Sequence, residues 1–445
     1  MLRNYRSPVN IIALINVIAF GLLFLFQEPY NSQILIAGGL MIFLVYLANI
    51  LVIKLKFEDE ILFLTVSMLT TLGVIIIYRL DPVLGWKQIT WFVLGNLIFF
   101  STVFIYRRIN FWERLVYIYP AISLVLFLLT MLFGTKVKGA TNWIFIGSFS
   151  FQPSEIMKLV FIFFIAAYYN NPDKLVLRDL KIFRRNITIE SKWVFMGLAY
   201  LQMGLLVIQR ELGTILLLFL VFLFLTYIYD QDWKLLLINA GLFSLAGLFS
   251  VTMLHYVQVR FDAWLNPWAD IAGKGYQIAQ SLFAIGAGGF WGTGLGLGQP
   301  HYIPEVHTDF IFSAICEELG IFGGVAVILL FFILVYRGIK IALGIHDSFH
   351  RAVALGIALM FGFQSFIIIG GVIKLIPLTG ITLPFISYGG SSLTTSFLAL
   401  GIIQGTSSSK FMAEEELYER ETDREENRET EKESKAEAKS QTEAE

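Results

Sequence analysis

The chain has 445 residues, 56% of them hydrophobic, and a mean hydropathy of +0.70. That is far above the norm for soluble domains and excludes a water-soluble helical bundle. A net charge of −1 implies no nucleic-acid partner, and the single cysteine, Cys316, has no partner in the chain for a disulfide.

Apolar runs recur along the chain near 9–26, 34–53, 61–78, 89–106, 115–133, 154–169, 193–209, 212–229, 233–253, 310–336, 351–373 and 386–408. Each is long enough to cross a bilayer as a helix, so about twelve spans are expected. Arg3 and Arg6 precede the first run with no small-residue cleavage site after it, which predicts an uncleaved anchor. Basic residues fall in alternate loops: Lys54 and Lys56; Arg107, Arg108 and Arg114; Lys174 to Lys192; Arg337, Lys340 and Arg351. The positive-inside rule then puts both termini in the cytoplasm.

Two loops expected on the outside are long, about 134–153 and 254–309. The second carries Trp264, Trp268, Tyr276, Phe283, Phe290 and Trp291 among a series of glycines, which predicts a folded loop with short helices. Residues 413–445 are rich in Glu, Lys, Arg, Ser and Thr and predict a solvated, disordered cytoplasmic tail. No internal repeat supports an inverted-repeat transporter.

Four polar clusters interrupt the apolar pattern. The first is Gly139 to Ile144 with Gln152-Pro153-Ser154-Glu155-Ile156-Met157-Lys158. Pro153, Ser154 and Glu155 read as a helix entry. Lys158 lies a turn deeper, where it either snorkels or pairs with Glu155 at i,i+3 in a cavity, the reading preferred here. The second is the turn Gln209-Arg210-Glu211-Leu212-Gly213-Thr214, whose plain reading is a local ion pair. The third runs from Arg260 and Asp262 to Glu305, His307 and Asp309. The fourth, Pro377 to Ser392, has the prolines, glycines and hydroxyls of a broken or re-entrant helix. Neither a His-Glu-x-x-His metal motif nor a phosphate-binding loop with its lysine occurs, so ATP is not expected as a cofactor. An ionisable residue at a membrane boundary is a functional candidate, and Asp309 is the strongest. Its alternative role is a cap for the helix beginning at Phe310.

These segments, with Gly275-Tyr276-Gln277 to Gln280-Ser281, Pro304 to Phe312, Glu317-Glu318-Leu319-Gly320 and Pro377 to Ser392, resemble the RodA/FtsW/SpoVE family, the shape, elongation, division and sporulation (SEDS) proteins. The resemblance covers roughly 61–408. It implies an all-α polytopic membrane protein with a core of about ten helices, preceded here by an extra pair within 1–60. The catalytic domain would be 61–412, with its large structured loop extracellular, in the bacterial cytoplasmic membrane. The activity implied is polymerisation of lipid II into peptidoglycan, beside a class B penicillin-binding protein that supplies the transpeptidase.

In that chemistry a sugar hydroxyl attacks an anomeric carbon and undecaprenyl pyrophosphate leaves. A carboxylate suits the base, and Asp309 matches the family's essential aspartate. Lys158, Arg210 and Arg260 are candidates for the pyrophosphate, with a divalent cation such as Mg or Mn as a further candidate. Glu155, Glu305, His307 and Ser387 are further substrate-binding candidates. His307 would orient Asp309, bind phosphate, or simply pack at the helix entry. Three positions depart from the family. Arg210-Glu211 stands where Pro-Asp is usual, Ile368 where Asn is frequent, and Lys374 where Gly is frequent. A lipid II flippase and a non-catalytic scaffold are the rival readings; a flippase needs access from both faces, whereas these clusters map mostly to one.

Overall fold

The structure, a computed structural model, describes residues 2–407 apart from 27–29, 110, 138, 148, 176, 183 and 184. The charged tail 413–445 lies outside the described residues. Nine helices precede the large loop: α1 (Leu2–Phe26), α2 (Ser32–Lys54), α3 (Glu60–Leu80), α4 (Pro82–Arg108), α5 (Ile118–Phe133), α6 (Pro153–Asn170), α7 (Ser191–Ile208), α8 (Leu212–Asp230) and α9 (Trp233–Met253). The loop holds α10 (His255–Leu265) and α11 (Tyr276–Gly288), and α12 (Ile311–Leu343), α13 (Ser348–Val372) and α14 (Gly390–Thr406) follow.

The twelve long helices fall on the twelve apolar runs. Nine of them are long and apolar enough to cross a membrane. The other three are α5 and α14, which are shorter, and α6, which has Glu155 and Lys158 in its first turns. Aspartates start several helices: Asp81 accepts from the Val83 and Leu84 N–H groups ahead of α4, with Pro82 at its first position, and Asp59 accepts from Leu62 N–H ahead of α3.

Three features correct the sequence reading. The loop near 134–153 is a three-stranded antiparallel meander, β1 (Thr135–Val137), β2 (Ala140–Ile146) and β3 (Phe149–Phe151). A second hairpin, β4 (Leu177–Ile182) with β5 (Arg185–Ile189), lies between α6 and α7. The tenth span bends at Gly320, whose φ of 71° breaks the helical run; a Cβ there would meet the Phe290 carbonyl at 2.3 Å.

α3 and α13 are the central helices, most of each being buried, whereas α9 is nearly all exposed. α4 and α14 approach closely through small residues: Gly95 lies on Phe397, Gly390 on Trp91 and Gly401 on the Phe99 backbone. The N-terminal pair packs on α3, with Phe20 edge-on to Tyr78 and Asn49 donating to Ser67.

Between α13 and α14 the chain is not helical, yet Leu383, Phe385, Ile386 and Ser387 are buried. Such backbone is stable inside an apolar bundle only if its polar groups find partners. Arg260 donates to the Leu378 and Thr379 carbonyls, Gln364 to the Thr382 carbonyl and Gln88 to the Ser387 carbonyl. Tyr388 N–H donates to the His307 carbonyl, and the Ser387 hydroxyl receives Leu383 N–H while donating to the Thr308 carbonyl. Lys374 has a φ of 63°, a left-handed conformation that explains why glycine suits this position.

Gly73 of α3 touches this segment, and a Cβ on it would lie 2.5 Å from the Ile386 carbonyl oxygen. Gly73→Val is therefore expected to destabilise the protein by about 1–3 kcal/mol or more. A thermal unfolding midpoint in detergent equal to wild type would contradict the contact.

Candidate functional site

Helices α4, α6, α8, α12 and α14 are every second span and start at the same end of the bundle. The polar residues gather at that end. Helix N-termini carry exposed N–H groups and the positive end of the dipole, so this end favours an anion.

Glu211 precedes α8 and is buried. Its carboxylate accepts from Gln152 Nε2 at 2.8 Å, Ser154 Oγ at 2.9 Å and Thr214 Oγ1 at 3.1 Å. Burial pushes its pKa up, and hydrogen bonds from Gln152, Ser154, Asn142 and Thr214 pull the other way without cancelling it. The carboxylate thus joins the starts of α6 and α8. The expected local ion pair with Arg210 does not form: Arg210 lies over the Tyr256 ring, 5.2 Å from its centroid. Arg210 has a φ of 62°, which no proline could adopt, so this turn is built differently from the family's Pro-Asp turn.

Lys158 is buried on α6, with Nζ 2.9 Å from Glu155 Oε2 and 3.2 Å from Gln364 Oε1. It does not snorkel; it pairs. Gln364 also holds the Thr382 carbonyl, so Lys158 is tied to the non-helical segment.

Arg260 and Asp309 meet across Gly380. A Cβ at Gly380 would lie 3.5 Å from Arg260 Nη2 and 3.7 Å from Asp309 Oδ2. Burial lowers the Arg260 pKa, and the attraction of Asp309 opposes that shift. Asp309 N–H donates to the Glu305 carbonyl, closing a turn in which Glu305 has a φ of 58°. Ser387 is occupied in bracing this turn, and the His307 ring packs edge-on to Tyr388. Their described contacts are structural ones.

Glu211 and Gln364 were missed as site residues. Gln364 carried a readable signal, an amide within a strongly apolar run. Glu211 was readable only as a turn residue, because its donors come from distant segments. Ile368 is buried on α13 and offers no polar group where Asn is frequent in the family. Among the described residues, no three His, Cys, Asp or Glu side chains converge as metal ligands. Glu155 is paired with Lys158 and Asp309 faces Arg260, so this donor set does not fit a resident divalent cation held by protein alone.

This is a polytopic membrane protein whose charged site is built around an unwound segment. The family of cell cycle proteins described as FtsW/RodA/SpoVE matches residues 59–410, and the chain belongs to it. The match begins at the start of α3 and leaves the α1–α2 pair outside. Peptidoglycan glycosyltransferase RodA of Mycobacterium tuberculosis is 34% identical over 368 residues, 78% of this chain and 77% of that protein. Stage V sporulation protein E of Bacillus subtilis is 35% identical over 366 residues, 78% of this chain and 96% of that protein. A chain from a peptidoglycan synthase complex that coordinates polymerization and crosslinking superposes with a TM-score of 0.64 at 31% identity, over 78% of this chain and 97% of that one. Thermus thermophilus RodA superposes with a TM-score of 0.57 at 28% identity, over 78% of this chain and 96% of that one.

Glu211→Gln replaces an acceptor of several hydrogen bonds with a group that is half donor, and should cost about 1–3 kcal/mol. Because the folded state raises this carboxyl's pKa above 4.5, it binds more protons than the unfolded state, and Glu211 adds less stability as pH rises. The stability gap between wild type and Glu211→Gln should therefore be widest below pH 4.5 and narrow as pH rises towards neutrality. Melting curves across that range check the sign; a gap that widens with pH contradicts it.

Proposed function

We propose that this chain is a peptidoglycan glycosyltransferase that polymerises lipid II and releases undecaprenyl pyrophosphate. Family membership supports the reaction, and the meeting of Asp309 with Arg260 at Gly380 carries the assignment to residues. Asp309 takes the proton of the attacking sugar hydroxyl, and Arg260 faces it across Gly380, where its positive charge lies beside the reacting groups. As the glycosidic bond forms, the bond from the anomeric carbon to the pyrophosphate oxygen breaks. The leaving group's growing charge falls beside Arg260, Arg210 and the helix N-termini at this end. Lys158, already neutralised by Glu155, orders the Gln364–Thr382 wall and would reach substrate only by exchanging partners.

Polar groups concentrated at one end favour polymerisation over a flippase, which needs a path through the bundle. The reaction takes place on the outer face of the cytoplasmic membrane, with both termini inside, on the support of the alternating basic loops. The proposed partner is a class B penicillin-binding protein that supplies the crosslinking, a reading supported by the related chain's place in a complex that coordinates polymerization and crosslinking.

Asp309→Asn and Asp309→Ala should lower polymer formation by about 10²–10⁴-fold with insertion and folding unchanged. Gel analysis of labelled lipid II product checks this; near-wild-type polymer from either variant would remove Asp309 from the mechanism. In a Cys316→Ala background, an impermeant thiol reagent should label Lys274→Cys in intact cells and leave Arg185→Cys unlabelled. The reverse pattern would invert the topology.

A further inference from the structure

Tyr256 is on α10, one turn before Arg260. Its ring carries the Arg210 guanidinium, 5.2 Å from the centroid. Its hydroxyl oxygen is buried and has no hydrogen-bond partner among the described residues. A buried hydroxyl left unpaired costs about as much as a lost hydrogen bond, so native structures rarely leave one without a purpose. Both Arg210 and Arg260 act electrostatically on the phenol, drawing its pKa down against a larger upward push from burial. The phenol therefore keeps its proton and remains a donor. Thr379, bound to the same Arg260, is in the same condition: its carbonyl holds Arg260 Nη1 at 2.7 Å while its buried hydroxyl has no partner among the described residues.

An unused hydroxyl donor within the field of two guanidiniums suits an oxyanion such as a phosphate or diphosphate. Arg210 has no carboxylate partner among the described residues, and it is exposed. Arg260 spends one nitrogen on backbone carbonyls and turns Nη2 towards Gly380 and Asp309. Phosphate oxygens accept from planar guanidinium forks and from hydroxyls alike.

We propose that the Tyr256 hydroxyl donates to the diphosphate of the lipid-linked substrate, completing an anion site with Arg210 and Arg260. This rests on the glycosyltransferase reading for the identity of the substrate. Tyr256 is then a binding residue for the leaving group, placed so that Arg260 serves both the diphosphate and Asp309. Its ring holds Arg210 in position and its hydroxyl contacts the anion, two roles that a single substitution separates.

Tyr256→Phe keeps the ring, and with it the Arg210 contact and the packing, and removes only the hydroxyl. On the purified full-length chain, we expect KM for lipid II to rise about tenfold, with kcat changed less than about twofold and the unfolding midpoint unchanged. Inhibition by inorganic pyrophosphate, and its direct binding measured by calorimetry, should weaken by a similar factor. A role in folding alone would leave pyrophosphate binding untouched. Wild-type kinetics and pyrophosphate binding in Tyr256→Phe would overturn the proposal, as would a wild-type chain that binds no pyrophosphate. If the wild type binds pyrophosphate in a Tyr256-dependent way but forms no polymer, the anion site stands and the glycosyltransferase reading fails. Phosphatidylglycerol titrated into the micelles tests the other phosphate source. Competition with pyrophosphate in wild type that is lost in Tyr256→Phe would assign the site to ordinary phospholipid headgroups and overturn the substrate assignment.

Discussion

Seventeen residues between α13 and α14 run without helix through the interior of an apolar bundle, and their backbone must be satisfied there. In lipid, an open carbonyl or N–H costs several kcal/mol. The chain meets that constraint by bringing side chains from separate elements onto one strand. Gln88 comes from α4, Arg260 from α10 and Gln364 from α13. The same requirement that stabilises the segment therefore assembles the site. Asp309 enters through the backbone of its own turn, whose His307 and Thr308 carbonyls pair with Tyr388 and Ser387.

Charge is managed by pairing. A lone charge inside the bundle is prohibitive, and a pair is tolerated only with good geometry and further hydrogen bonds. Lys158 with Glu155 and Gln364 is one such unit. Arg79 with Glu318 is another: the guanidinium also donates to the Gly296 and Gly298 carbonyls, which fastens the glycine-rich end of the large loop to α3. Arg337 with Asp59 is a third, joining α12 to the start of α3. Arg260 differs because its partners are two carbonyls and an aspartate shared with solvent-accessible space, and Arg210 differs because its partner is an aromatic face. Those two cations retain electrostatic capacity for an anionic ligand.

The spans were legible because a helix that crosses lipid needs about twenty apolar residues, and each such run is a local property of the sequence. Glu155 and Lys158 were legible together because i,i+3 spacing fixes one face of a helix. The bend at Gly320 was hidden because a glycine inside a long apolar run leaves the pattern intact; only the Phe290 carbonyl packed against it reveals the need for a positive φ. The meander at 135–151 was too short and mixed to register as strands. The clustering of Glu211 with Gln152 and Ser154, and of Arg260 with Asp309, depends on which helices adjoin. Spacing along the chain does not carry that information. The broken helix from Pro377 was visible in its prolines and glycines, but its role as the common partner of the polar side chains was not.

In the proposed reaction, the segment between α13 and α14 holds Arg260 and Asp309 at the substrate, with Lys158 tied to its wall through Gln364. An electron-cryomicroscopy map of the purified chain saturated with lipid II tests it most directly. The expected map has 373–389 without helix, the diphosphate in hydrogen-bond reach of Arg260, and the Asp309 carboxylate facing the sugar. Diphosphate density at the opposite end of the bundle, or a continuous helix through 373–389, would contradict it.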